Sequence, residues 1–84
     1  MSNVSIPRPP DVVTILWQRN PLQPLSPRTV VQAAVIGNAD PCSSFLRNGQ
    51  RYACAKECLL ENDFTKVFEE RFGVFGLSVF VKDS

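Results

Sequence analysis

The fold depends most on one hydrophobic stretch, VVTILW at residues 12–17, which is followed by the polar residues Gln18, Arg19 and Asn20. Four of its six residues are β-branched, which favours a β-strand. Its apolar side chains do not alternate with polar ones, so we expect a strand that is buried on both faces. This strand anchors the predicted core of the 84-residue chain.

A second strand is predicted near the C-terminal end, because the sequence changes to a period of two after Gly73. Leu77, Val79 and Val81 would share one face of this strand, and Phe80 would lie on the other. Two strands alone make a marginal sheet. We therefore expect either that the two strands pair beneath the helices or that a partner chain extends the sheet. A free edge on the C-terminal strand would favour a homodimer.

Helices are predicted between the two strands. Three segments, residues 26–37, 40–49 and 62–73, each begin at a capping residue and end at a glycine, as short helices do. Residues 52–61 carry a helical apolar stripe. Asn48-Gly49 also fits a hairpin turn, so residues 40–52 are left open between helix and hairpin.

These elements predict an α+β fold. A compact domain over residues 12–84 would contain an N-terminal strand, three to four short helices and a C-terminal strand. A proline-rich tail, residues 1–11, would precede it. All six phenylalanines lie in the second half of the chain, which we expect to supply most of the core.

All seven prolines lie in the first half of the chain. Residues 21–27, PLQPLSP, predict an extended connector. This connector would either pack over Trp17 as a strap or present its proline edge to a partner. Residues 7–10 and 21–24 both have the Pro-x-x-Pro spacing that aromatic grooves bind.

Composition argues against several function classes. The net charge is only +1, which gives no reason to expect a polyanionic partner. The chain has no histidine, the commonest general base near neutral pH, and it has no phosphate-binding glycine loop. We therefore do not expect an enzyme or a cofactor.

The three cysteines are predicted to be buried, inert free thiols. Cys54 and Cys58 lie one turn apart on a predicted helix, but zinc would also need Cys42 and a fourth ligand such as Asp40. An odd cysteine count, no apolar signal segment and no apolar run of membrane-spanning length favour a cytoplasmic protein.

We therefore predict a small non-enzymatic protein that binds another protein, as a regulator or inhibitor does, and whose size fits a phage or viral gene product. The candidate binding residues are Pro7, Arg8, Pro9, Pro10, Trp17, Leu22, Pro24, Val79 and Val81. One alternative is a nucleic-acid-associated regulator, with basic residues Arg19, Arg28, Arg47, Arg51 and Lys56 and stacking rings Phe45 and Tyr52. Another is a structural subunit of a larger assembly.

Overall fold

The computed structural model of the chain describes residues 9–23 and 25–83. Its elements are strand β1 (Asp11–Gln18), strand β2 (Thr29–Ile36), a 3-10 turn (Cys42–Leu46), helix α1 (Tyr52–Glu61), strand β3 (Thr65–Phe72) and strand β4 (Phe75–Lys82). The strands form one antiparallel sheet in the order β2-β1-β4-β3. The predicted fold class is therefore wrong, because most of the described chain is a four-stranded sheet with one helix.

Both predicted strands exist, and they are neighbours at the centre of the sheet. β1 pairs with β4 along its whole length, from Asp11 opposite Lys82 to Gln18 opposite Phe75. β4 also pairs with β3, so the prediction of a free edge on the C-terminal strand is wrong. The sheet edges in the described chain belong to β2 and β3.

The segment 26–37, predicted as a helix, forms β2 instead. Its apolar residues fit a helical stripe, but β-branched side chains such as Val30 and Val35 lose more freedom in a helix than in a strand. Hydrogen-bonded pairing with β1 stabilises the segment as a strand. Gly37, at φ +89°, therefore follows the end of a strand and not the end of a helix.

The segment 62–73, also predicted as a helix, forms β3 and the turn after it. Asn62 does not begin a helix; its backbone N–H donates to the carbonyl groups of Cys58 and Leu59 and so ends α1. A register shift between Lys66 and Phe68 places an extra residue in the strand and disguises its alternation. Gly73, at φ +65°, lies in the two-residue turn that joins β3 to β4.

The middle of the chain agrees better with the sequence. The predicted helix 52–61 is α1 with those bounds. Only a 3-10 turn forms within 40–49, so the full helix predicted there is wrong. The alternative hairpin is also wrong, because Asn48-Gly49 is preceded by the 3-10 turn and followed by α1 instead of joining two strands.

The core lies between one face of the sheet and the layer formed by α1 and the 3-10 turn. Alternate residues of β1 point into this core and are buried, whereas those between them are half-buried, so β1 is not fully buried on both faces as predicted. The sheet contributes Val13, Ile15, Trp17, Val30 and Phe80, and the covering layer contributes Cys42, Leu46, Tyr52, Ala55 and Leu59. A disulfide between Cys42 and Cys58 joins the 3-10 turn to α1.

Candidate functional site

The face of the sheet that points away from α1 has no covering layer in the described chain. We call it the open face. Register places these side chains on it: Val12, Thr14 and Leu16 of β1, Gln32, Ala34 and Ile36 of β2, Phe68, Glu70 and Phe72 of β3, and Phe75, Leu77, Val79 and Val81 of β4. Most of these side chains are apolar, and the larger ones on the outer strands are exposed.

Exposure on the open face is greatest towards its two outer strands. Ile36 on β2 is 65% exposed, and Phe72 on β3 is 54% exposed. Between them, Val79 and Val81 on β4 are half-buried by their neighbours. A continuous apolar surface of this kind on a small domain indicates an interaction site, whereas scattered single apolar residues do not.

The opposite face of the same sheet is closed around a hydrogen-bonded network. The Trp17 indole N–H donates to the Ser78 hydroxyl oxygen at 3.0 Å, and the Tyr52 hydroxyl donates to the same oxygen at 2.8 Å. The Ser78 hydroxyl in turn donates to Glu69 Oε1 at 3.3 Å. A hydroxyl has one donor and two acceptor positions, so Ser78 is saturated.

Glycine makes room for this network. Gly76 on β4 lies directly opposite Trp17 on β1, and a Cβ at position 76 would overlap the indole ring. The ring therefore lies against the backbone of β4, where its N–H reaches Ser78.

Charge surrounds the outer end of this network. Glu69 accepts a hydrogen bond from Lys66 Nζ at 3.3 Å and lies 3.8 Å from Arg28 Nη1. Burial acts to raise the pKa of Glu69, but the hydrogen bond and charge of Lys66 outweigh it and hold the pKa below its usual value. Burial raises the pKa of Tyr52, so the phenol stays protonated and donates to Ser78.

The buried members of this network are fully satisfied within the fold. Trp17, Tyr52 and Ser78 are buried, and no buried side-chain nitrogen or oxygen in the described chain lacks a partner. A substrate would have no unsatisfied group to engage there. The open face is therefore the stronger candidate for function.

The predicted binding residues fall into different surroundings. Val79 and Val81 lie on the open face, whereas Trp17 is only 2% exposed and is beneath the covering layer. Pro9 and Pro10 are exposed ahead of β1. Pro7, Arg8 and Pro24 lie outside the described residues, and so does most of the predicted tail.

The proline connector does not pack as a strap. Leu22 is 89% exposed and Leu25 is 94% exposed, so neither covers Trp17. A backbone hydrogen bond from Gln23 N–H to the Asn20 carbonyl folds residues 20–23 into a turn, where an extended run was predicted.

The cysteines also differ from the prediction of three buried free thiols. Cys42 and Cys58 are disulfide-bonded, with Cα atoms 5.7 Å apart, and Cys54 is free and exposed. Asn62 Nδ2 lies 3.7 Å from both bonded sulfur atoms. Within residues 9–23 and 25–83, no group of three or more cysteine or acidic side chains is arranged to hold a metal ion.

Sequence reasoning missed the aromatic side chains of the open face. The helix predicted over 62–73 contains Phe68 and Phe72, and the expectation that the phenylalanine-rich half supplies most of the core includes Phe75. All three are exposed, and only Phe64 and Phe80 of the second half are buried. The alternation of Phe68, Glu69, Glu70 and Arg71 is weak, so the signal for a strand here was slight.

Comparison with known proteins adds no assignment, since no protein family, curated protein or solved structure matches this chain. As for membranes, α1 has ten residues, and the described part of the chain contains no helix long and apolar enough to span a bilayer.

Proposed function

We propose that this chain is a non-enzymatic protein-binding domain that docks an apolar surface of another protein on its open face. The observation that supports this proposal is the unpaired apolar surface built from all four strands, with Phe68 and Phe72 at one margin and Ile36 at the other. Burial of such side chains against a partner contributes about 25 cal/mol per Å².

Sheet dimensions indicate the kind of partner. Four strands of eight residues span a face of roughly 500 Å², given about 4.8 Å between strands and 3.4 Å per residue. A standard interface buries about 800 Å² per partner. The partner would therefore cover the whole open face, as a second sheet or a pair of helices does, and a narrow peptide would leave much of it exposed.

The open face replaces the two surfaces favoured by the sequence alone. Val79 and Val81 remain candidate binding residues, but through their side chains and not through a strand edge. Leu22 on the connector stays a candidate, because this large apolar side chain is almost fully exposed. Homodimerisation through a sheet edge also stays a prediction and would have to use β2 or β3.

A pair of matched double variants tests which surface binds. Phe68→Gln with Phe72→Gln makes the open face polar, and Leu22→Gln with Leu25→Gln makes the connector polar by the same kind of change. All four side chains are exposed, so both variants should keep the fold. Photo-crosslinking from position 77 on the open face, in cells that make the protein, would measure partner capture.

We expect the open-face variant to lose the crosslinked partner and the connector variant to retain it. Loss in the connector variant alone would contradict the proposal and assign binding to the proline segment. Light scattering on the pure protein identifies the case in which the partner is a second copy: the wild type would be dimeric and the open-face variant monomeric. A wild-type monomer that captures nothing from position 77 would also contradict the proposal.

A cytoplasmic location stays a prediction from the sequence. The Cys42–Cys58 disulfide argues against it, because disulfides persist mainly in oxidising compartments. Alkylation of thiols in intact cells, followed by mass spectrometry of the protein, would decide between one alkylated cysteine and three.

A further inference from the structure

A cationic cleft lies at the connector end of the molecule, away from the open face. The end of β1, the start of β2 and the start of α1 meet there. Four cations, Arg19, Arg28, Arg51 and Lys56, line a cleft of about 380 Å³. An adjoining cleft of about 540 Å³ shares Arg19 and Arg51 with it. Among the described residues that line the two clefts, none is acidic.

We propose that this cationic cleft binds the phosphate group of a small molecule. Four of the nine basic residues of the chain meet at one concave site, although the chain as a whole has a net charge of only +1. A guanidinium presents a planar fork of donors that matches a phosphate bidentately. The cleft volume also falls within the range of about 300–1,000 Å³ typical of small-ligand sites.

Arg28 is held in place before any ligand arrives. Its Cζ lies 4.6 Å from the centroid of the Trp17 ring and 5.5 Å from that of Tyr52, so cation–π contacts orient the guanidinium. Glu69 pairs with one nitrogen, Nη1, at 3.8 Å. A guanidinium has five N–H donors, so this pairing leaves donors for a phosphate. A positioned donor loses little further entropy on binding.

Helix α1 contributes a field of the same sign. It begins at Tyr52, and the residue before it, Arg51, makes no side-chain capping hydrogen bond. Ala53, in the first turn, lines the cleft. The terminus alone would not define a site, but its partial positive charge adds to that of the four side chains.

The observations favour a small phosphate compound over a nucleic-acid strand. Single strands bind by stacking bases on exposed rings. Tyr52 borders the cationic cleft but is only 2% exposed, and Phe45 lies in a separate cleft beside Glu57 and Glu61, so neither predicted stacking ring offers an open face to a base there. Arg47, which the sequence grouped with Arg51, does not line the cleft.

Titration of the ¹⁵N-labelled full chain with inorganic phosphate and with AMP at low salt tests the proposal. We expect saturable amide shifts centred on residues 51–53. Arg51→Ala with Lys56→Ala should weaken AMP binding by about tenfold or more, since charge-assisted hydrogen bonds are lost. Arg47→Ala with Lys82→Ala removes the same two residue types outside the cleft and should change affinity by less than about twofold, because neither side chain lines the cleft to donate to a phosphate.

Several results would overturn the proposal. Amide shifts that do not saturate would mean that phosphate has no specific site on the protein. Equal loss of AMP affinity in the two double variants would mean that AMP is attracted only by the net charge of the chain. Displacement of AMP by succinate at equal concentration would assign the cleft to carboxylates. Suppose instead that an eight-nucleotide oligothymidylate binds more tightly than AMP, and that its affinity falls with salt as steeply as contact with several phosphates requires. That result would assign the cleft to nucleic acid. The Phe68→Gln, Phe72→Gln variant should bind AMP normally, which separates this proposal from partner docking on the open face.

Discussion

Both faces of the sheet carry large apolar side chains, but the surroundings of the two faces are opposite. On the covered face, Ile15 and Phe80 are fully buried, and the polar Ser78 is saturated with hydrogen bonds. On the open face, Phe68 and Phe72 belong to the same sheet, yet each residue is about half exposed. Apolar character alone therefore does not place a residue in the core.

The difference arises from the number of covering elements. One ten-residue helix and a 3-10 turn cover one face of the sheet, and the described chain offers no second layer for the other. A small chain buries a smaller share of its surface than a large one does. In the isolated protein, the open face therefore exposes apolar surface to water, which is unfavourable in free energy. A partner that covers this face would remove that unfavourable exposure.

The largest expected effect comes from truncating one phenylalanine on each face. Phe80→Ala should lower the free energy of unfolding by about 3–5 kcal/mol, because it leaves a cavity in the core. Phe68→Ala should lower it by about 1 kcal/mol or less, since its side chain is already half-exposed. Urea unfolding of the pure protein, followed by fluorescence of Trp17, measures both.

A more conservative variant at Phe80 serves as the control. If Phe80→Ala does not fold, Phe80→Leu keeps most of the volume and should still cost more than Phe68→Ala. Equal losses for Phe68→Ala and Phe80→Ala would show that something covers the open face in solution. If the loss of unfolding free energy in Phe68→Ala depended on protein concentration, the open face would be covered by a second copy of the chain.

Sequence reasoning found the elements whose signals are local. The β-branched run at 12–17 predicts a strand and the apolar stripe at 52–61 predicts a helix, and both elements form, although β1 is buried on one face only. Gly37 and Gly73, predicted to end helices, do have the positive φ expected of such glycines. What the local pattern did not show is that strands, and not helices, end there.

The missed strands are decided by partners far away in the chain. Val30 pairs with Trp17, and Thr65 pairs with Val81, and these contacts are absent from any short window of sequence. The apolar residues at 30–35 and at 65–72 fit a helix as well as a strand when only the local sequence is considered, and the pairing decides between the two. The open face was missed for the same reason, because its residues come together only through register.

Cysteine pairing illustrates the same limit. Spacing drew attention to Cys54 and Cys58, but the disulfide joins Cys58 to Cys42 in a different element. Three cysteines offer several pairings, and only the packing of the 3-10 turn against α1 selects one. The cleft of four cations was likewise hidden, since Arg19 and Lys56 are far apart in sequence.

The disulfide fixes the 3-10 turn to α1 in the layer that covers the buried face. Replacing Cys42 and Cys58 with alanine should lower the free energy of unfolding by about 3 kcal/mol, as expected for a closed loop whose ends are 16 residues apart. Dithiothreitol should destabilise the wild type by a similar amount and leave the double variant unchanged. Urea unfolding with and without the reductant measures both.

Cys54→Ala is the matched control, because this cysteine is free and exposed. Its stability should equal that of the wild type and should fall with the reductant in the same way. A wild type that is insensitive to dithiothreitol would mean that the two elements hold together without the disulfide.

The smallest expected effect concerns charge at the margin of the covered face. The pKa of Glu69 is held below its usual 4.5, so as the pH falls the unfolded chain takes up the proton before the folded chain does. The stability that Glu69 contributes is therefore present above pH 4.5 and is lost as the pH falls through the lower folded pKa. Glu69→Gln should cost about 1 kcal/mol or less at neutral pH, because the side chain is partly exposed, and should flatten the acid limb of the stability profile. Glu70→Gln, on the neighbouring residue that faces the open side, is the control; an equal flattening in both variants would show that general charge, and not the contacts of Glu69 with Lys66 and Ser78, produces the pH dependence.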